Sequence, residues 1–312
     1  FQIILVFILF ICSLLSYFFI ERKFRDKNFS FKKIFNILFS IILILITVNV
    51  IIIYKNGYPK RAVIDGINID REFYLDEISN WKKTIYEYNV KKSTKNLRKN
   101  ILIIGDSHAD NFAMVFQTNN DLFNEYEFNI LGRANLLIKY FEDEMIRPSD
   151  RLLIDDAEYV LFSYNYDYEE LKIVKKAIKL INDRTNKKII LTTNNPIYSL
   201  YGSRFTDLDF FLLENNRKPN NLELVELEKK YYNFLKNNET YFYFNDELKK
   251  ISRKFNLLLL DKSNYQCNEK NKRCLVLTNK DEKINWDSDH HTLRGARYLG
   301  EMIFKNKWFK LD

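Results

Sequence analysis

Residues Phe1 to Ile20 read FQIILVFILFICSLLSYFFI, a run with no charged side chain. As a helix it would be about 30 Å long, one hydrocarbon core. A second run, Ile34 to Tyr54, is broken only by Asn36, Ser40, Thr47 and Asn49. Uncharged runs of this length predict two membrane spans rather than two buried core helices. The first is not read as a signal peptide, because it lacks a basic start and a small-residue cleavage site before Glu21. The segment between them holds Arg22, Lys23, Arg25, Lys27, Lys32 and Lys33 against Glu21 and Asp26. The excess of positive charge assigns 21–33 to the cytoplasm and everything after Tyr54 to the other side. Lys55, Lys60 and Arg61 lie close to the second run and reduce that asymmetry.

The remainder is polar and patterned differently. The chain has 312 residues, 46% of them hydrophobic and 16% aromatic, too apolar for a mostly disordered protein. Four Pro and seven Gly exclude collagen-like sequence, and three Cys are too few for a small disulfide scaffold. Residues 55–99 read as a linker and lead-in segment, with a turn at Asp65, Gly66 and Asn68 and a short helix over Asn80 to Tyr88. A compact domain is expected over 100–312. Its strands are predicted at Ile101–Ile104, Tyr126–Leu131, Tyr159–Phe162, Lys188–Thr193 and Leu257–Leu260. Helices are predicted after Asp110, along Leu171, Val174, Ile178 and Ile181, over Leu224–Leu235, around Leu248, Ile251 and Phe255, and over Thr292–Phe304. Short apolar strands alternating with amphipathic helices imply an α/β fold whose mostly parallel sheet is covered on both faces.

Two segments carry candidate chemistry. Ser107 follows Ile101-Leu102-Ile103-Ile104-Gly105-Asp106, so it should stand where a strand meets a helix, the place where open α/β sheets bind ligands. A helix starting there points backbone N–H groups at developing negative charge. The plain alternative is that Ser107 is only an N-cap. The second segment is Trp286-Asp287-Ser288-Asp289-His290-His291-Thr292-Leu293-Arg294-Gly295-Ala296, which holds two of the three histidines. A serine nucleophile needs a base, and a base histidine needs an orienting carboxylate. Both histidines fall in an acidic turn before the last helix; Asp287 and His290 stand three residues apart at the start of a helix-like segment, a spacing that lets both side chains approach one site. Asp289 with His291 is the other pairing. Metal binding is disfavoured, since there is no third clustered His and no CxxC pair.

Together Gly105-Asp106-Ser107 and Asp287-Ser288-Asp289-His290 resemble the GDS and DxxH motifs of the SGNH hydrolase superfamily, over about Asn100 to Lys310. The resemblance implies a flavodoxin-like three-layer sandwich with a parallel sheet. It assigns Ser107 as nucleophile, His290 as base and Asp287 as orienter. The oxyanion donors would be the Ser107 N–H, Asn165 in Ser163-Tyr164-Asn165-Tyr166, and Gly132 in Asn129-Ile130-Leu131-Gly132-Arg133. The Gly and Asp of the family's GxND pattern are absent around Asn165. His290-His291-Thr292-Leu293-Arg294-Gly295-Ala296 is similar to the HLSxxGA stretch of SGNH domains fused to acyltransferase-3 membrane proteins. Ser16-Tyr17-Phe18-Phe19-Ile20-Glu21-Arg22-Lys23-Phe24-Arg25 is similar to the end of that family's last acyltransferase helix.

On this resemblance, 1–20 is the last acyltransferase-3 helix, 34–54 one further span, and the chain a fragment lacking most of the membrane domain. The implied activity is O-acyl transfer, usually O-acetyl transfer, to a cell-surface polysaccharide or peptidoglycan. The implied location is the bacterial cytoplasmic membrane, multi-pass, with the last domain periplasmic. No cofactor is expected on that domain; acyl-CoA would be the ultimate donor through the membrane domain in cis. Cys267 and Cys274 flank a polar hairpin-like segment and are expected to form a disulfide outside the cytoplasm. With water as acceptor the same site would be a carbohydrate esterase. A non-catalytic alternative is glycan binding by Tyr164, Tyr166, Tyr168, Tyr198 and Tyr201, although for most of them the plainer reading, surface or core aromatics in a Tyr-rich chain, is preferred. The net charge of +8 raises nucleic-acid binding, but the Lys-rich runs are interrupted by acids and no binding motif is present. Contact with anionic lipid or glycan explains the charge better.

Overall fold

The computed structural model describes 31–54, 63–91, 98–196 and 205–311, with scattered positions between 10 and 22; for 31, 33–34, 52–54 and 84–91 it describes the backbone alone. Two units are compact by themselves, Phe1–Arg61 and Ala62–Asp312. In the first, helix α1 (Phe31–Tyr54) carries the second apolar run. Its large side chains, among them Phe35, Phe39, Ile44 and Val50, are exposed. Its polar side chains bond their own helix: Ser40, Thr47 and Asn49 donate to the carbonyls of Asn36, Leu43 and Leu45, each at 2.8 Å. Among the described residues no helix is long and apolar enough to cross a membrane. The span expected over Phe1–Ile20 and most of the loop 21–33 lie outside the described residues.

The second unit opens with a hairpin, β1 (Val63–Ile64) and β2 (Ile67–Asn68), around the expected turn. Asp65 and Gly66 take positive φ of 46° and 83°, the left-handed region that Asp and Gly tolerate. Helix α2 (Arg71–Lys91) follows, much longer than the expected Asn80–Tyr88. Its apolar positions pack in part against the main domain, which a weak helical pattern does not reveal. The alternation then begins: β3 (Lys99–Gly105), α3 (Ser107–Gln117), β4 (Tyr126–Gly132), α4 (Ala134–Phe141), α5 (Pro148–Asp156) and β5 (Tyr159–Ser163). It continues with α6 (Tyr168–Arg184), β6 (Lys188–Thr192), α7 (Asp207–Asn215), α8 (Asn221–Asn237), α9 (Glu239–Phe255) and β7 (Leu258–Leu260). After the short α10 (Ser263–Gln266) come a ribbon, β8 (Cys267–Asn268) with β9 (Arg273–Cys274), and the last helix, α11 (Leu293–Lys305).

Five strands form one parallel sheet in the order β4-β3-β5-β6-β7. Alternation along β3 builds both cores. Ile101 and Ile103 enter the layer shared with α3 and α11, while Leu102 and Ile104 enter the layer with α4, α6 and α9. All four are buried, which is why β3 reads as an unbroken apolar run. Counting strands of this sheet along the chain, the order is 2-1-3-4-5, and its topological switch lies between the first and third strands, β3 and β5. A smaller cluster joins β1 and β2 to α7, α8 and the β8–β9 ribbon. There Cys267 is bonded to Cys274, its partner across the ribbon.

Candidate active site

Gly105 ends β3 opposite Ser163 of β5. A Cβ on Gly105 would meet the Ser163 carbonyl oxygen at 1.8 Å, so the two strand ends approach as closely as they do only because this residue is glycine. The chain turns at Asp106, whose carboxylate accepts from the His108 N–H at 2.8 Å and caps α3. The cap is therefore Asp106 and not Ser107. Ser107 becomes the first helical residue, with its hydroxyl exposed and free for other work. The helix begins four residues earlier than its apolar pattern implied, because the cap, not the apolar face, sets the start. The other Asp106 oxygen accepts from the Asn165 N–H at 3.2 Å, tying the loop after β5 to the turn that carries Ser107.

The segment 286–291 is the acidic turn expected before the last helix, and helical structure begins only at Leu293. A bridge between Asn285 and His291 closes it, and the Trp286 N–H donates to the His290 carbonyl at 2.9 Å. Asn111 and Asn195 clamp it by donating to the Asp289 carbonyl at 3.3 and 3.0 Å. Asn111 also accepts from the His291 N–H at 2.8 Å. Below, Lys283 is fully buried in an ion pair with Asp209 at 2.6 Å and reaches the Trp286 carbonyl at 3.3 Å. Thr292 then caps α11 by accepting from the Gly295 N–H at 2.9 Å.

This frame brings His290 Nε2 to 2.8 Å from Ser107 Oγ. On the other side of the ring, Nδ1 lies 3.0 Å from both oxygens of Asp287. Asp287 in turn accepts from the backbone N–H groups of Asp289 and His290 at 3.1 and 2.8 Å, so its position is fixed by its own turn. Ser107, His290 and Asp287 are thus assembled as one hydrogen-bonded row, from positions 180 residues apart in the chain. The alternative pairing of Asp289 with His291 does not form. His291 is buried and bonds through Nδ1 to Asn285 Oδ1 at 2.6 Å, and burial pushes its imidazole down to about 3.

Three further residues surround the row: Asp289, which the sequence reading pairs with His291 instead, and His108 and Lys262, which it does not single out. Asp289 places a second carboxylate 3.1 Å from His290 Nδ1. Its other oxygen stands 3.3 Å from Nε2 of the buried His108. Burial works to lower His290, but the hydrogen bonds and charges of Asp287 and Asp289 outweigh it and raise the imidazole from 6.5 to about 10. Asp289 itself is held far below the usual carboxylate range: its burial is outweighed by the two histidines. Lys262 is wholly buried behind the site, donating to Ser163 Oγ at 2.9 Å over the Phe112 ring. Burial lowers its ammonium to about 7 against the opposing pull of Asp106 and Asp289. His108 follows Ser107 directly, so adjacency was the available signal; Lys262 offered none.

His108, Asp289 and His290 each offer one ligand atom within 4.8 Å of the others, the one such group among the described residues. A cation there would have to replace the proton that His290 Nδ1 shares with the carboxylates. The oxyanion candidates lie at neighbouring strand ends. Asn165 and Ser107 each stand two residues beyond the register pair Ser163–Gly105, and Gly132 pairs with Ile104 at φ +90°. Neither Asn165 nor Gly132 lines the cavity over the row. That cavity, about 300 Å³, has Ser107, Asp287 and His290 at one side and Leu75, Ile78, Trp81, Met114 and Trp286 as apolar walls, with Arg71, Lys82, Asp110 and Asn111 completing it. The described tyrosines of the strip follow the plainer expectation of core and surface aromatics. Tyr164 and Tyr166 are buried, and their hydroxyls bond the Ala134 N–H and the Phe162 carbonyl. Tyr168 is exposed; Tyr198 and Tyr201 lie outside the described residues.

No protein-family model and no curated protein matches the chain. Among solved structures it is similar to the periplasmic domain of a lipopolysaccharide acetyltransferase from Salmonella ser. Paratyphi A. They are 19% identical over 69% of this chain and 85% of that one, with a TM-score of 0.43. It is also similar to a GDSL-like lipase from Bacteroides thetaiotaomicron, 12% identical over 74% of this chain and 98% of that one, with a TM-score of 0.38.

Proposed function

We propose that this chain is the extracytoplasmic part of a membrane-attached, SGNH-like serine acyltransferase that moves an acyl group, most simply acetyl, to a hydroxyl of a cell-surface glycan. The observation that carries the proposal is the row Ser107 Oγ–His290 Nε2 at 2.8 Å and His290 Nδ1–Asp287 at 3.0 Å, opening on one cavity. Ser107 Oγ attacks the acyl carbonyl carbon while its proton passes to His290 Nε2. The donor oxygen takes that proton as its bond to the acyl carbon breaks. A sugar hydroxyl then gives its proton to His290 and attacks the acyl-Ser107 ester, and the proton returns to Ser107 Oγ. Asp287 holds the ring and balances its charge. The Ser107 N–H at the start of α3, with Asn165 and Gly132, would receive the oxyanion.

Membrane attachment is supported by the exposed apolar side chains of α1 and by its polar side chains bonding their own backbone, an arrangement suited to hydrocarbon. Acyl groups would come from acyl-CoA by way of an acyltransferase-3 domain in cis.

The test compares acyl release to water with acyl transfer to glycan, for folded variants at equal concentration. Ser107→Ala and His290→Ala should each lose roughly 10³-fold or more in both. Asp287→Ala should lose less, and Asn165→Ala roughly 10²–10³-fold if it donates to the oxyanion. Normal rates in Ser107→Ala would end the serine mechanism. Hydrolysis alone, with acceptor and membrane domain present, would make the protein an esterase.

A further inference from the structure

Three planar groups are stacked along one wall of the cavity. The Arg71 guanidinium lies over the Trp286 ring at 5.2 Å, and the Trp286 ring lies on the His290 ring at 5.2 Å and 21°. His290 is the end of the stack that touches Ser107. Arg71 is the far end, brought there by the first turn of α2. Arg71 and Ser107 therefore border the same cavity, with the Trp286 and His290 rings between them in the contact chain.

The unused hydrogen-bonding capacity of this wall is all of one kind. Arg71 Nε and Trp286 Nε1 have no hydrogen-bond partner, although Trp286 is 7% exposed. Both groups are N–H donors that cannot accept. A buried donor left unpaired is costly, so such a pair points to an occupant that brings acceptor oxygens. The other charges of the cavity are already matched. Lys82 is paired with Asp110, and Asp287 with His290. Among the described residues lining the cavity, Arg71 is the cation left without a carboxylate. The rest of the wall, Leu75, Ile78, Trp81 and Met114, is apolar and offers flat surface for the face of a sugar.

We infer that the acceptor is an anionic glycan. Its carboxylate or phosphate engages Arg71 beside the Trp286 indole N–H, its ring lies against the tryptophan wall, and one of its hydroxyls is presented to His290 and Ser107. This inference rests on the acyl-transfer reading for the role of the hydroxyl, but not for the binding itself. Arg71 is a binding residue here, and the charge it recognises lies on the acceptor, not on the acyl group.

Equilibrium binding to the full chain in detergent micelles tests it without any chemistry. The probes are a glucuronate-containing oligosaccharide, the same oligosaccharide with its carboxyl reduced to an alcohol, and a neutral oligosaccharide carrying one phosphate monoester. Calorimetry reads the affinity, and tryptophan fluorescence reports contact with Trp81 and Trp286. The wild type should bind at least one of the two anionic probes about 10-fold more tightly than the reduced one, the worth of one charge-assisted hydrogen bond. Which of the two it prefers identifies the anion as carboxylate or phosphate. Arg71→Gln should shrink the preference below about 2-fold, whereas Lys83→Gln, on the same helix but off the cavity, should keep it. Equal binding of charged and reduced probes by the wild type overturns the inference. So does a preference that survives Arg71→Gln, or one that Lys83→Gln abolishes equally, since that would be general attraction to a basic surface. Labelling of Ser107 by a fluorophosphonate is read separately. If labelling fails while the charge preference follows Arg71, the acyl-transfer reading falls and the anionic glycan site stands.

Discussion

At the scale of single residues, the pairing of one histidine with two carboxylates sets how this site should respond to pH. Catalysis by His290 as a base needs the neutral ring, yet Asp287 and Asp289 raise it to about 10. The rate at low substrate should therefore climb about tenfold per pH unit through neutrality and level off only in the alkaline range. Asp289→Asn removes one of the two charges while Asp287 keeps the ring in place. Its profile should level off at least ~1 pH unit lower, measured with a soluble ester. A wild-type plateau already reached near pH 7 would contradict this assignment. Lys262 makes a second, independent case. An unfolded lysine titrates near 10.5, and burial lowers the folded value to about 7. Between those values the unfolded chain holds a proton that the folded chain lacks, so stability falls as pH drops from 10.5 toward 7 and is level below. Lys262→Met should raise stability at neutral pH by about 1–3 kcal/mol and flatten that fall, because Ser163 Oγ still has the His108 carbonyl at 3.1 Å. Urea unfolding at several pH values measures both.

At the scale of elements, the site depends on how rigidly two turns are held. The turn that carries Ser107 is fixed by a capping carboxylate and by close strand approach at Gly105. The base turn is fixed from beneath by the buried Lys283–Asp209 pair, which fastens the segment before Trp286 to α7. Asp209 also closes the capping box of that helix with Thr206. Asp209→Ala would strand the Lys283 charge in the interior and remove the box. A loss of about 3–5 kcal/mol is expected in chemical unfolding, together with reduced Ser107 labelling in the fraction that remains folded. A loss under ~1 kcal/mol would mean that the lysine finds water on relaxation. The elements themselves were legible to different degrees. The five strands could be read because each carries a short apolar run, although only β5 is buried throughout and β4 alternates buried with half-buried residues. Helices α4, α5 and α7 could not, because eight or nine residues give too little periodicity. Helix α2 was underestimated for a similar reason: its hydrophobic face is weak and meets the cavity wall as much as the core.

At the scale of the whole molecule, the outward orientation proposed for Ala62–Asp312 has a direct check. Protease added to intact spheroplasts should remove this unit, and mass mapping without reduction should recover Cys267 and Cys274 as one linked peptide pair. Complete protection would reverse the orientation, and two free thiols in exported protein would argue against an oxidising compartment. The sequence by itself determined the division into an apolar start and an α/β remainder, since hydropathy and strand alternation are local properties of the chain. It also pointed to Ser107, Asp287 and His290, because each stands in a short motif with a fixed internal spacing. Only the tertiary structure decided what those residues face. It put the cap on Asp106, withdrew His291, Tyr164 and Tyr166 into the interior, brought Asp289 and His108 beside the base, and set Arg71 and Trp286 over it. The Asp106 cap and the Asp289–His290 pair are local, but the contacts of His108 with Asp289 and of Arg71 with Trp286 join segments far apart in the chain. Their formation depends on the order in which parallel strands stand in the sheet and on which turn packs over which strand end, and no local pattern encodes that order.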